Sequence, residues 1–228
     1  MMFLSRVPLN PARAGTKKLL ASPQVGHAAV MAAFPPEHTS AAGNGSGRVL
    51  WRIDRHDPAI DLYVVSPTEP DFTHIVEQAG WPTTTAWATR KYLSLLDTLT
   101  EQQQWHFRLT ANPIRSAMDR TADGPLTRGK PSGLTPADQM SWLHRRSDDN
   151  GFKLGVCRSP QGEVPDATII ERSTLRFRRG PATITLSTAT YEGILEVTDP
   201  QKLRGALING IGRAKGYGCG LLTLAPLA

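Results

Sequence analysis

Two stretches of the chain carry residue types that could work on a phosphate. Near the C-terminus, Gly210-Ile211-Gly212-Arg213-Ala214-Lys215-Gly216-Tyr217-Gly218-Cys219-Gly220 sets glycines at 210, 212, 216, 218 and 220 around two cations. Glycine lets a loop take positive φ and lets another backbone approach closely. Its unpaired N–H groups, with Arg213 and Lys215 between them, suit a polyanion. Near the N-terminus, His27 lies in the segment Gln24 to Phe34, which reads as a helix. An imidazole titrates at about pH 6.5, so it can give or take a proton near neutrality. At about 100° per residue, Val25, Ala28, Ala29 and Ala32 share one face. His27 falls opposite that apolar stripe, on the solvent- or ligand-facing side.

Several other chemistries are set aside. A dinucleotide fingerprint G-x-G-x-x-G would need glycine where Lys215 stands, and it follows a strand and opens a helix. Here the loop follows a predicted helix and opens a predicted strand. Gly124-Pro125-Leu126-Thr127-Arg128-Gly129-Lys130 approaches a nucleotide P-loop, but Pro131 replaces the required Ser/Thr and no strand precedes it. The six histidines (27, 38, 56, 74, 106, 144) show no metal-ligand spacing, so no metal site is expected. Cys157 and Cys219 stand far apart and in no C-x-x-C pattern, as expected of reduced thiols.

The chain has 228 residues and a net charge of +6. The excess is uneven: residues 1–100 hold nine basic and eight acidic side chains, residues 101–228 seventeen and twelve. Between Arg172 and Lys215 the balance is eight to three. A basic second half is the electrostatic footprint of a nucleic-acid binder; the competing reading is a solvated basic surface. No N-terminal apolar h-region or membrane-length apolar run is present, so a cytoplasmic protein without membrane partners is expected.

The elements that must position these groups come in two similar passes. Phe3 to Leu9 alternates and predicts a strand. Ser22-Pro23 predicts an N-cap and N1 proline for the helix of His27, which stops at Pro35-Pro36. Arg48 to Asp54 and Ile60 to Ser66 predict a strand pair, and Phe72 to Ala79 a helix. Thr83 to Arg90 is a candidate closing strand. The second pass opens with a strand over Trp105 to Arg115. A basic, turn-rich loop follows over 119–133, then a helix started by Thr135-Pro136-Ala137-Asp138. Strands are predicted over Phe152–Val156, Ala167–Phe177 and Ala182–Val197, with a hairpin tip at Arg178-Arg179-Gly180-Pro181. Asp199-Pro200 starts a helix whose C-cap glycine is Gly210, and Leu221 to Ala225 closes the pattern. The prediction is therefore an α+β chain of tandem ferredoxin-like (RRM-like) βαββαβ units, with a basic β-hairpin in the second. The expected divisions are an N-terminal domain over 1–92, a polar linker over 93–104 and a C-terminal domain over 105–228.

Two strings extend this reading. Phe107-Arg108-Leu109-Thr110-Ala111-Asn112-Pro113-Ile114 and the tail from Gly210 to Pro226 closely resemble signatures of CasE, the CRISPR-associated endoribonuclease of type I-E systems. The opening strand followed by a histidine in the first helix also matches, as does Gln139-Met140-Ser141-Trp142-Leu143-His144-Arg145-Arg146. The resemblance implies two ferredoxin-like domains and binding of the stem-loop in CRISPR repeat RNA. It implies a metal-independent cut at the 3′ base of the stem, without cofactors, to give mature crRNA. It also implies that the enzyme stays on this product as a subunit of the Cascade complex. The family's helix-one histidine maps onto His27. Some relatives carry a tyrosine three residues earlier; here that position is Gln24.

A metal-free cut uses the RNA's own 2′-OH as nucleophile and leaves a 2′,3′-cyclic phosphate or 3′-phosphate and a 5′-OH. It needs a base for the 2′-OH, an acid for the 5′ oxygen and cations for the phosphorane charge, and His27 can serve either proton role. The glycine loop, through Gly210, Gly212, Gly216, Arg213 and Lys215, is assigned to the RNA backbone. Its competing reading is a plain tight connection packed on the sheet. Arg176, Arg178 and Arg179 on the hairpin are candidates to reach the stem, and Arg128 and Lys130 are weaker ones. The alternative function is a non-catalytic RNA-hairpin-binding subunit on the same fold.

Overall fold

The computed structural model describes residues 1–35, 48–82, 87–115, 118–119, 127–128, 132–160 and 162–227. The first half is a four-stranded sheet of β1 (Phe3–Leu9), β2 (Leu50–His56), β3 (Ala59–Ser66) and β4 (Ala88–Lys91). Its order is β2-β3-β1-β4, with every neighbour antiparallel. Residues 83–86 of the expected closing strand lie outside the described residues; β4 supplies that edge. Helices α1 (Ala14–Ala21), α2 (Pro23–Met31) and α3 (Thr73–Ala79) cover one face. The basic segment around Lys17 and Lys18 is thus a helix of its own, and His27 belongs to the second helix.

Strand alternation assigns the two faces of this sheet. In β2, Trp51 and Ile53 pack on the helix layer, while Leu50 joins the core of the second half. A stretch of four residues, α4 (Leu93–Leu96), leads out of β4. The segment expected as a polar linker contributes Leu96 and Leu99 to the core, beside Tyr92, and all three are buried. Tyr92 N–H donates to Met2 O at 2.8 Å, tying the segment to β1.

The second half begins with β5 (Gln104–Ala111). Two short pairings follow: β6 (Ile114–Arg115) with β9 (Ser132–Gly133), and β7 (Met118–Asp119) with β8 (Thr127–Arg128). Helix α5 (Pro136–Asp149) is capped by Thr135, whose Oγ1 accepts from Asp138 N–H at 3.2 Å. Then come β10 (Phe152–Leu154), the small hairpin β11 (Val156–Ser159) and β12 (Gly162–Pro165), and the long strands β13 (Ala167–Arg179) and β14 (Ala182–Val197). Helix α6 (Pro200–Asn209) is capped by Asp199, whose Oδ1 accepts from Gln201 N–H and Lys202 N–H. Strand β15 (Leu222–Ala225) ends the chain's regular structure.

The second sheet runs β10-β14-β5-β15, the same antiparallel order as the first, with β13 added alongside β14. The fold is α+β, two ferredoxin-like units in tandem. The far part of β14, up to Thr188, pairs with β13 and has no β5 partner, so this hairpin projects from the sheet.

One arginine joins the two sheets. Arg52 on β2 is 2% exposed. Its guanidinium holds Asp54 through Nε (2.6 Å) and Nη2 (2.8 Å). It also donates to Arg108 O, Leu221 O and Thr223 Oγ1 of the second half, at 2.9, 2.8 and 2.8 Å. All five N–H donors of the side chain are used, which is the condition for burying such a charge. Arg108 reaches back to Asp54 at 3.2 Å, donates to His56 Nε2 at 2.8 Å and pairs with Glu192. No described helix is long and apolar enough to cross a membrane.

Candidate active site

Helix α2 starts as the sequence predicts: Ser22 Oγ accepts from Val25 N–H and Pro23 sits in the first turn. Its buried face is not the predicted one. Val25, Ala28 and Ala32 are not buried, whereas Pro23, Gly26 and Val30 are. The cause is Trp51, 4% exposed. A Cβ on Gly26 would lie 2.6 Å from its ring, so the helix can sit flat on the indole only through glycine. An alanine-rich helix offers little contrast between faces, and a glycine scores as no apolar anchor. The helix is turned accordingly, and His27 is half-buried.

What His27 faces is the glycine loop. A Cβ built on Gly216 would lie 3.7 Å from both His27 Cε1 and Nδ1. The His27 and Tyr217 rings meet edge to face with centroids 6.4 Å apart. The fold brings these opposite ends of the chain together.

The loop's shape is set by its glycines. Gly210, Gly212, Gly218 and Gly220 all have positive φ, 75°, 82°, 78° and 87°. Added Cβ atoms at 210 and 220 would strike the loop's own carbonyls, Gly220 O at 2.9 Å and Ile211 O at 2.8 Å. The backbone that comes close is therefore the chain's own. Ile211 N–H donates to Gly220 O and Gly220 N–H donates to Thr110 O, which fastens the loop to β5. Between Ala214 and Gly218, both left-handed, Lys215–Tyr217 forms one 3-10 turn. Trp51 Nε1 donates to Gly216 O at 3.3 Å, and a Cβ on Gly218 would lie 3.0 Å from the same indole. Trp51 thus seats both α2 and the loop. Tight packing accounts for four of the glycines, and Gly216 is the one whose open side faces His27.

Of the two loop cations, Arg213 is exposed. Lys215 is half-buried, and burial, followed by the charge of Arg48, lowers its pKa. Cys219 is fully buried and its thiol is pushed up to about 12 by burial, so it serves packing, not nucleophilic chemistry.

The hairpin has two unlike faces. Leu175 and Phe177 are half-buried, and Phe177 meets Tyr217 edge to face with centroids 4.9 Å apart. Arg176 and Arg178 alternate with them and point to the opposite face. Of Arg179 and Arg128 only the backbone is described, at the ends of β13 and β8. Lys130 lies outside the described residues. Gln24 precedes His27 by three residues, and its Oε1 is buried with no hydrogen-bond partner among the described residues. Between the halves, a cleft of about 150 Å³ is lined by Trp51, Arg55, Ser173, Thr188, Thr190 and Tyr217, among others. Trp51, Tyr217 and Phe177 are the contributors that residue-type reasoning passed over. Tyr217 stood within the glycine string; Trp51 and Phe177 gave no signal beyond strand alternation.

A family described as CRISPR associated protein matches residues 2–226. The CRISPR-associated endoribonuclease Cse3 of Thermus thermophilus is 31% identical over 232 residues, covering 99% of this chain and 100% of that protein. The CRISPR system Cascade subunit CasE of Escherichia coli is 32% identical over 188 residues, covering 78% of this chain and 89% of that protein. A solved structure of Cse3 bound to a 19-nucleotide RNA has a TM-score of 0.72 at 30% identity, with 99% of each chain covered. On this match, running nearly from end to end, the chain belongs to the CRISPR-associated endoribonuclease family that includes Cse3 and CasE.

Proposed function

We propose that this chain is an endoribonuclease that binds the stem-loop of CRISPR repeat RNA, cuts it without a metal at the 3′ base of the stem, and stays on the product as a Cascade subunit. The observation that supports this reading best is the apposition of His27 with the cationic glycine loop. It sets an imidazole from one end of the chain against Gly216 and Tyr217 of the loop that also carries Arg213 and Lys215.

The reaction follows from these groups. The RNA 2′ oxygen forms a bond to the adjacent phosphorus as the bond to the 5′ oxygen breaks. One proton leaves the 2′-OH and one reaches the departing 5′ oxygen; His27 handles one of these transfers. General acid–base help of this kind contributes roughly 10²–10⁴-fold. Lys215 and Arg213 offset the charge on the phosphoryl oxygens, and the rigid loop holds the backbone so that the 2′-OH lies in line. A duplex stem exposes few base edges to side chains, so recognition rests on shape and phosphate contacts. The projecting hairpin, with Arg176 and Arg178 on its outer face, extends that cationic surface.

The test is incubation of the protein with its cognate repeat RNA in EDTA, followed by mapping of the product ends. A single cut with a 2′,3′-cyclic phosphate or 3′-phosphate and a 5′-OH is expected. A strict need for a divalent ion, or a 5′-phosphate end, would overturn the mechanism. Tight binding without any cut would leave the non-catalytic hairpin binder as the function.

A further inference from the structure

Among the described residues, Tyr217 is an aromatic side chain of the second half whose ring meets that of His27, and it is held firmly for a loop residue. Its ring lies edge-on to His27 at 66° between planes, and Phe177 packs against it at 63°. Its N–H donates to Ala214 O at 2.8 Å. Left-handed residues bracket the turn at Ala214 and Gly218, and the Trp51 indole fixes Gly216 O beside it. The residue is half-buried and lines the cleft between the halves.

The nearby alternatives supply less. Gln24, one helical turn from His27, carries an amide that can also donate, but its oxygen is buried and the residue does not line the cleft. A phenol O–H is a sound hydrogen-bond donor. A donor fixed beside the reacting phosphate stabilises charge that develops in the transition state.

We propose that Tyr217 is a catalytic residue: its phenol donates a hydrogen bond to a non-bridging oxygen of the scissile phosphate while His27 moves a proton. The phenol keeps its own proton throughout; bond making at the 2′ oxygen and bond breaking at the 5′ oxygen are unchanged. This assignment rests on the endoribonuclease reading above.

The experiment compares wild type, Tyr217→Phe and His27→Ala as full chains under single-turnover conditions. Phenylalanine keeps the ring against His27 and Phe177 and removes the O–H alone. Cleavage by Tyr217→Phe is expected to fall about 10²-fold. Affinity for an uncleavable 2′-deoxy substrate should stay within about threefold and the melting temperature should not move, because the missing hydrogen bond belongs to the transition state. A phosphorothioate at the cut site adds a readout that a packing role would not affect. Sulfur accepts hydrogen bonds weakly, so it should slow wild type and add little to the defect of Tyr217→Phe. Near-wild-type cleavage by Tyr217→Phe, with His27→Ala inactive, would overturn the Tyr217 role alone. So would a sulfur effect of equal size in both proteins. Normal cleavage by His27→Ala would instead sink the endoribonuclease site itself.

Discussion

His27 is a half-buried histidine whose neighbours include the loop residues Gly216 and Tyr217. Its replacement by alanine should lower the cleavage rate by roughly 10²–10⁴-fold, the range for one acid–base group. Hairpin affinity, measured by titration on uncleavable RNA, should change by no more than a few-fold, because the imidazole is assigned to chemistry and not to holding the stem. The two cations make the complementary prediction. Arg213→Ala with Lys215→Ala should weaken binding and flatten the dependence of log K on log salt by roughly 0.7–0.9 for each phosphate no longer neutralised. An unchanged slope would remove the loop from the phosphate surface. Lys215 is the more sensitive of the pair, since burial already lowers its pKa and any further removal from solvent favours its neutral form.

At the scale of elements, the site depends on how α2 and the glycine loop share one tryptophan. Helix propensity alone would make Gly26→Ala stabilising by up to about 1 kcal/mol. The structure reverses the sign, because the new methyl would lie 2.6 Å from the Trp51 ring. Overpacking of this kind costs about 1–3 kcal/mol, and it would push the helix that carries His27 away from the loop. Gly26→Ala should therefore melt earlier and cleave more slowly while binding RNA nearly as well. A higher melting temperature would show that the indole yields. This reversal marks where the sequence was legible and where it was not. Ser22, Thr135 and Asp199 announced three helix starts through their own hydrogen bonds. The buried face of α2 depended on a partner in another strand, which periodicity among alanines and a glycine could not reveal.

For the whole molecule, the two ferredoxin-like units meet at Arg52 and Asp54, both buried, with Arg52 bonded to the second half. Burial alone would raise the Asp54 pKa; the hydrogen bonds and charge of Arg52, then of Arg108, outweigh it and hold the carboxyl below its usual value. A carboxyl with a lowered folded pKa stabilises the fold above the unfolded value of about 4 and loses that contribution as pH falls through the folded value. Asp54→Asn should cost roughly 3–5 kcal/mol at neutral pH, since it strands a buried guanidinium. Thermal denaturation at several pH values should show the gap between wild type and Asp54→Asn narrowing in acid. A gap independent of pH would show that Asp54 acts by packing and not by charge.

The sequence by itself determined the parts that rest on neighbouring residues. These are the capped helices, the alternating strands, the order that repeats in both halves, the glycine loop between α6 and β15, and the family strings at Phe107–Ile114 and Gly210–Pro226. Caps, turns and strand alternation act within a few residues, so they can be read in order along the chain. Tertiary structure alone decided the meeting of residues from opposite ends. It set Gly26 and Gly218 on the same indole, turned His27 toward Gly216, placed Tyr217 between His27 and Phe177, and sent Arg176 and Arg178 to the other face of the hairpin. These outcomes follow from close packing between elements, in which each side chain's direction depends on the shape of a distant partner.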